Sequence, residues 1–276
     1  MHFAQSISHL PKPPFGKTGW PWTEETDPSV FDNNKVYPKI SIVTPSYNQG
    51  HFIEKTIRSI LLQNYPNLEF IIIDGGSTDN TIEIIKKYEP WISYWVSEKD
   101  KGIYDAMNKG LSVSTGDWIN FMNIQDYFLR NAFTYLFAKF ISSKKVIYSD
   151  AYLKDDYGNL SYYKHHKPIK NLFILSNMLH QALFFNNLVA KKYPYNLDFK
   201  IMADLNVCVK LYFLDRLAFG LHVNKPTVVY KLGGFSHQNS ELMQAERYKI
   251  IKMLPFPYNI INILNHYRIF LIKYFK

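Results

Sequence analysis

From Lys39 onward, short apolar runs alternate with segments whose apolar residues recur at helical spacing. Ile40-Ser41-Ile42-Val43-Thr44 reads as a buried strand, and Gln49-Gly50 opens a helix with apolar positions Phe52, Ile53, Ile57, Ile60 and Leu61. Phe70-Ile71-Ile72-Ile73 is a second apolar strand, ending on Asp74. The turn Gly75-Gly76-Ser77-Thr78-Asp79 leads into a helix carrying Ile82, Ile84, Ile85 and Tyr88, and Trp91-Ile92-Ser93-Tyr94-Trp95-Val96 reads as a third strand. A helix over about 103–113 precedes a fourth strand, Trp118-Ile119-Asn120-Phe121-Met122, which ends at Asn123-Ile124-Gln125-Asp126. Strands that are apolar throughout, separated by helices, predict an α/β fold with a parallel sheet covered on both faces. In such sheets ligands sit outside the carboxyl ends of the strands, and this chain concentrates its polar residues there.

The flanks follow other rules. Residues 1–38 are rich in proline and aromatics (Pro11-Lys12-Pro13-Pro14, then Gly19-Trp20-Pro21-Trp22), which resists regular structure and predicts an extended arm. Its tryptophans predict that the arm wraps on the domain, because burying such large rings is favourable. At the other end, Tyr258 to Lys276 mixes aliphatic and aromatic residues with terminal cations. That segment suits a membrane interface or a helix docked on the protein's own core, and is too interrupted to span a bilayer.

Composition narrows the class. Of 276 residues, 47% are hydrophobic and 20% charged, which excludes a disordered, collagen-like or disulfide-scaffold chain. The single cysteine, Cys208, lies in an apolar run and predicts a packing residue, with neither a disulfide nor a cysteine zinc site. With no basic leader and no uninterrupted apolar stretch of about 18 residues, the expectation is a cytoplasmic protein. A net charge of +9 implies an anionic partner: nucleic acid, acidic lipid or a phosphate-bearing substrate. The cations are scattered instead of gathered on one stripe, which argues against nucleic acid.

Three polar clusters fall at three strand ends: Thr44-Pro45-Ser46-Tyr47-Asn48, Asp74 through Asp79, and Asn123 through Asp126. They offer a ring to stack on (Tyr47), an acceptor for a base or ribose (Asp74), close backbone approach (Gly75, Gly76) and a carboxylate for a cation (Asp126). The inventory suits a nucleoside diphosphate. Ser77, Thr78 and Asp79 also suit a helix N-cap. The first strand lacks the Gly-x-Gly-x-x-Gly turn of redox dinucleotide enzymes.

Ser41 to Asn48, Asp74 to Asp79, and Ser97-Glu98-Lys99-Asp100-Lys101-Gly102-Ile103-Tyr104-Asp105-Ala106-Met107-Asn108-Lys109-Gly110 come in the order and spacing of glycosyltransferase family 2. The chain resembles that inverting family, of bacterial polysaccharide-biosynthesis type. The resemblance implies a GT-A fold, Rossmann-like with a mostly parallel sheet and a helical C-terminal extension. It implies three regions beyond the arm: a nucleotide-binding half over 39–126, an acceptor half over 127–240, and a helical, membrane-surface segment over 241–276. It places Thr44, Pro45, Tyr47, Asn48 and Asp74 at the nucleoside, and Asp105, Asn108 and Lys109 near the donor, UDP-sugars being favoured. Lys109 either neutralises diphosphate charge or is a solvated helix lysine.

The family's fourth strand ends in a short acidic motif. Here the first acid is Gln125, a ribose-side acceptor without charge, and Asp126 alone remains for Mn2+ or Mg2+. One carboxylate is enough for Mg2+ when phosphate and water complete the octahedron, so weakened metal affinity is expected. His180 and Gln181 resemble the segment on the acceptor side. Asp204, in Met202-Ala203-Asp204-Leu205, resembles the general base; as a lone observation it also reads as an aspartate favoured by a helix N-terminus. His237 reads as an exposed loop histidine. The implied partners are a nucleotide-sugar donor, a glycan or lipid-linked oligosaccharide acceptor and an anionic inner membrane face. The rival reading is a GT-A-fold nucleotide-binding regulator that has lost turnover.

Overall fold

The computed structural model describes residues 6–32, 34–137, 144–165, 179–214 and 220–254. The first half runs β1 (Ile40–Ser46), α1 (Gly50–Leu61), β2 (Leu68–Asp74), α2 (Thr81–Lys87), β3 (Tyr94–Ser97), α3 (Ile103–Val113) and β4 (Trp118–Phe121). The second half runs β5 (Tyr127–Phe128), α4 (Ala132–Phe137), β6 (Val146–Lys154), β7 (Leu160–Tyr163), β8 (Leu183–Asn186), α5 (Asn187–Lys192), α6 (Ala203–Leu214), β9 (Leu221–Lys231), α7 (Phe235–Gln238) and α8 (Ser240–Lys252). All strands join one sheet in the order β3-β2-β1-β4-β8-β6-β9-β5, with β7 paired to β6. Strands β3, β2, β1 and β4 are parallel, as their apolar character predicts. Beyond β4 the sheet turns mixed: β8 is antiparallel to both β4 and β6, while β9 is parallel to β6.

Alternation along each strand builds two cores. Ile40 and Ile42 of β1, Phe70 and Ile72 of β2 and Trp118 of β4 pack with α1, α2 and α4. Val43, Ile71, Ile73, Ile119 and Phe121, one residue out of step, pack with α3, α6 and α8. Gly110 lets α3 lie against β1, since a Cβ there would sit 2.3 Å from a Val43 methyl carbon. Cys208 is buried in the second core, as its apolar run predicts, and burial pushes its thiol pKa up.

The third strand starts later than the hydrophobic run suggests. Pro90 opens a 3-10 turn over Glu89–Trp91, and β3 begins at Tyr94 on the sheet edge. Proline supplies no backbone donor, so the ladder cannot extend back through it. The stretch 240–252 departs from the expected boundary: Ile250, Ile251 and Leu254 are core residues, which places α8 on the domain itself. The segment Tyr258 to Lys276 lies outside the described residues.

The arm wraps the domain as expected, but through a charge as well as its rings. Arg58 of α1 is fully buried. It donates to the carbonyls of Pro21, Pro11 and Trp22 at 3.0, 2.8 and 2.8 Å, and to the Tyr88 hydroxyl at 3.0 Å. The Trp20 indole donates to the Phe128 carbonyl at 2.8 Å, tying the arm to β5.

Candidate functional site

The carboxyl ends of β1 and β2 are stitched into one surface. Gly75 N donates to Ser46 O at 2.8 Å, Asn48 N to the Ser77 hydroxyl at 2.7 Å, and Thr78 N to Asn48 Oδ1 at 2.8 Å. Gly50 N, at the start of α1, donates to Asp79 Oδ2 at 2.9 Å. The turn residues therefore brace the strand ends; the N-cap position of α2 falls on Asn80, and Asp79 reaches the first turn through Thr81 N. Tyr47 is 61% exposed, and its ring carbon Cδ2 would lie 3.4 Å from a Cβ at position 75. Glycine there keeps the surface beside the ring low enough for a planar group to approach. Thr44 and Pro45 are buried within β1, and the hydroxyls of Thr44 and Ser46 are buried without a hydrogen-bond partner. Unmatched buried hydroxyls at strand ends are what a polar ligand would satisfy.

Several expected donor contacts are turned inward instead. Asp74 accepts from Gly76 N, Ser77 N and the Ser97 hydroxyl on Oδ2, and from the Ser77 hydroxyl on Oδ1, at 3.0, 2.8, 2.6 and 2.5 Å. Asp74 thus shapes the turn chiefly through Oδ2, while Oδ1 accepts a single bond. On α3, Asp105 reaches back to accept from Lys101 N, just ahead of the helix, at 3.0 Å. The Asn108 amide pairs both ways with the Tyr195 backbone at 2.9 Å, which anchors the acceptor half to α3. Lys109, on the exposed side of α3, forms an ion pair with Glu98 at 2.7 Å, which raises its pKa.

The second half of the site comes together on one 3-10 turn, His180–Ala182. His180 Nδ1 lies 3.0 Å from Asp204 Oδ2, and Gln181 Nε2 donates to Asp126 Oδ2 at 2.6 Å. Two adjacent residues thus join carboxylates 78 positions apart in sequence (204 − 126). Asp204 sits in the first turn of α6, where its Oδ1 accepts from Leu205 N at 2.8 Å and faces the Tyr104 hydroxyl at 3.4 Å. His180 Nε2 and Gln181 Oε1 are buried and unmatched, as is Asn123 Oδ1 just past β4. His237 is exposed, in the short helix α7.

Asp126 is 4% exposed, and its Oδ1 accepts from Lys231 N at 2.8 Å. Burial pushes its pKa up to about 7, against the downward pull of the Lys231 N–H, the nearby His180 and the Gln181 amide. Stability lent by its proton is fully present below the unfolded value of about 4 and lost as pH rises through about 7. Without added cation, Asp126→Asn is expected to flatten this loss and raise the Tm at pH 8 by about 4 °C or more. Gln181 can flip its amide to present the unmatched Oε1 to the new Asn side chain. Thermal scans of both proteins from pH 5 to 8.5 check this; parallel curves would refute it.

Gln125 is exposed, and its backbone is left-handed at φ 80°. Among the described residues, no group of three or more His, Cys, Asp or Glu is arranged to hold a metal ion. The oxygens present are of the hard type that Mn2+ or Mg2+ takes: the Asp126 carboxylate and the unmatched Asn123 and Gln181 carbonyls. Asp126 is the carboxylate that would hold such a cation, with phosphate and water filling its remaining positions.

Two contributors escaped the sequence reading. Tyr104 donates to the Ile201 carbonyl at 2.5 Å, and its ring lies 5.2 Å from that of Tyr195. Glu246 of α8, buried, accepts from Lys200 N, Ile201 N and Met202 N at 2.6, 3.0 and 3.0 Å. It ties down the loop that presents Asp204. A buried glutamate is an uncommon find, and the charged stretch Glu246-Arg247-Tyr248-Lys249 reads as a solvated face and hides it. Glu246→Ala leaves three N–H groups without acceptors and is expected to lower stability by about 3 kcal/mol or more. Urea unfolding measures that loss.

Residues 41–208 match the family model described as glycosyl transferase family 2. The chain belongs to glycosyl transferase family 2. The family 2 match runs from β1 into α6 and so takes in Asp74, Asp126, His180 and Asp204. An uncharacterised glycosyltransferase of Mycobacterium tuberculosis is 34% identical over 173 residues, spanning 60% of this chain and 66% of that protein. TarS of S. aureus superposes with a TM-score of 0.63 at 19% identity, over 83% of this chain and 43% of TarS. A TarS fragment solved with UDP-GlcNAc superposes at 0.61 with 17% identity, over 80% of this chain and 68% of the fragment. A mannosyltransferase of Pyrobaculum calidifontis, solved with GDP-Man and Mn2+, superposes at 0.60 with 15% identity, over 89% of this chain and 71% of that enzyme. The fold is GT-A, and α8 packs on its core. No helix among the described residues is long and apolar enough to cross a membrane.

Proposed function

We propose that this family 2 chain is an inverting glycosyltransferase that moves a sugar from a nucleoside-diphosphate donor, with UDP-sugars favoured, to a hydroxyl of a glycan or lipid-linked acceptor. The observation that carries the reading is the His180–Gln181 turn, which binds Asp204 with one residue and Asp126 with the next. A base for the acceptor and a carboxylate for the diphosphate side are thereby held in one frame. Family membership supports the reaction class, and the TarS complex with UDP-GlcNAc supports the donor class.

In this reading Asp204 takes the proton of the acceptor hydroxyl as that oxygen attacks the anomeric carbon. The bond from that carbon to the diphosphate oxygen breaks, its electron pair leaves with the nucleoside diphosphate, and the configuration inverts. Leu205 N holds Oδ1 and His180 holds Oδ2, so the carboxylate is oriented before substrate arrives. Tyr47 supplies the stacking face for the base, and the buried Thr44 and Ser46 hydroxyls supply polar contacts at the strand end. Asp126 is the residue that would hold Mn2+ or Mg2+, and the bound cation would neutralise charge developing on the leaving diphosphate. The mannosyltransferase solved with Mn2+ supports this use of a divalent ion.

Substituting His180 tests the frame. His180→Ala is expected to reduce kcat by about tenfold to a hundredfold while leaving donor affinity within a factor of about two, because orientation of the base acts on the chemical step. Steady-state kinetics over a donor series separates the two parameters. An effect confined to donor KM would place His180 at the donor instead.

A further inference from the structure

The His180–Ala182 turn is held at both ends by buried side chains from different parts of the fold. At its exit, Asn120 of β4 donates through Nδ2 to the carbonyls of Gln181 and Leu183, at 2.9 and 2.7 Å. At its entry stands Leu179, which has no polar side chain to cap the turn. Its backbone N–H donates to Nε2 of His165 at 2.9 Å, and His165 is 2% exposed. The Leu179 carbonyl closes the turn by accepting from Ala182 N at 2.9 Å. Buried backbone donors ordinarily pair with carbonyls, so an imidazole in that place is a distinct choice of acceptor.

His165 lies just past β7, and β6 fixes its ring. Its backbone N–H donates to Asp150 Oδ1 at 2.9 Å, and its Nδ1 meets the Ser149 carbonyl. Asp150, fully buried, is itself held by His222 Nε2 of β9 at 2.8 Å and by the Tyr162 hydroxyl of β7 at 2.5 Å. The Tyr163 ring meets the imidazole edge-on, with centroids 5.1 Å apart. A carbonyl oxygen can only accept, so Nδ1 carries the proton and Nε2 keeps the lone pair that the Leu179 N–H needs. The partners thus select one neutral tautomer, and its acceptor faces the turn that carries His180.

We propose that His165 is a positioning residue for sugar transfer: it fixes the entry of the His180–Ala182 turn and thereby sets how His180 meets Asp204. The role in transfer rests on the glycosyltransferase reading; the hold on the turn does not. With the exit held by Asn120, loss of the His165 acceptor frees the entry first. His180 is adjacent to Leu179, whereas Gln181 keeps its carbonyl bound to Asn120. The effect is therefore expected at Asp204 and on kcat, with the Asp126 side and donor binding little changed.

The full chain is compared with His165→Phe, which keeps a flat ring without an acceptor, and with His165→Gln, whose amide carries an oxygen out to about the position of Nε2. Nitrogen NMR of wild type with labelled histidine is expected to show the His165 proton on Nδ1 near neutral pH. In His165→Phe the Leu179 and Ala182 amides are expected to exchange with solvent about tenfold faster, and kcat to fall about tenfold with donor KM within a factor of about two. His165→Gln is expected to recover both to within about threefold. UDP affinity, measured on every variant, reports that the fold is intact. A wild-type proton on Nε2, unchanged exchange at both amides in His165→Phe, or no recovery in His165→Gln overturns the assignment. Faster exchange with unchanged kcat would make His165 purely structural and overturns its role in transfer. Should His165→Phe fail to fold, the wild-type tautomer and the exchange and kcat of His165→Gln still decide. A chain that transferred no sugar would count against the reaction reading alone, since tautomer and exchange report the hold on the turn directly.

Discussion

Asp204→Asn is expected to lower sugar transfer by about a hundredfold to ten-thousandfold, the range set by loss of a general base, with donor affinity unchanged. The asparagine is the same size and keeps the Leu205 N–H contact on Oδ1, so the frame around it stays in place. What it loses is the capacity to accept the acceptor's proton. His180 then holds a group that cannot act. Initial rates across a range of acceptor concentrations, beside a direct measurement of UDP binding, make the comparison. Near-normal transfer with normal donor binding would remove Asp204 from the role of base.

Arg58→Met is expected to cost about 3–5 kcal/mol of stability, the range seen when one partner of a buried charged network is removed. The guanidinium is fully buried and serves three arm carbonyls and the Tyr88 hydroxyl. Methionine fills part of the volume but leaves the carbonyls of Pro11, Pro21 and Trp22 without donors. The arm is therefore expected to detach, with a rise in proteolysis before residue 38, whereas an internal variant of similar cost would not single out the arm. Denaturant unfolding together with limited proteolysis reads both effects. A loss under about 1 kcal/mol would mean that the arm is held by its rings alone.

The parallel half of the sheet was legible because β1, β2 and β4 are apolar on both faces, and only a strand covered on both sides is written that way. The mixed half was not. Strands β6 and β9 carry polar residues such as Asp150, Lys154, Asn224 and Lys225 among their apolar ones, and pairing between distant segments leaves no local signature. Of the site, sequence located the strand ends and both carboxylates Asp126 and Asp204. It could not say which way a polar side chain turns. Asp74 and Asn108 have the composition of ligand contacts, and the structure uses them to hold turns and backbone. The joining of Asp126 to Asp204 depends on how β8 inserts beside β4, a long-range pairing. Arg58, set among the apolar positions of α1, gave no hint that its charge would be spent on the arm.

The most direct test of the central claim is release of UDP from a panel of UDP-sugars, with and without Mn2+, by the wild-type chain and by Asp126→Ala. Metal-stimulated release by the wild type is expected, disappearing in the variant while UDP binding persists. Tight nucleotide binding with no release from any donor, with or without the metal, would contradict that claim and favour a nucleotide-binding regulator built on the same fold.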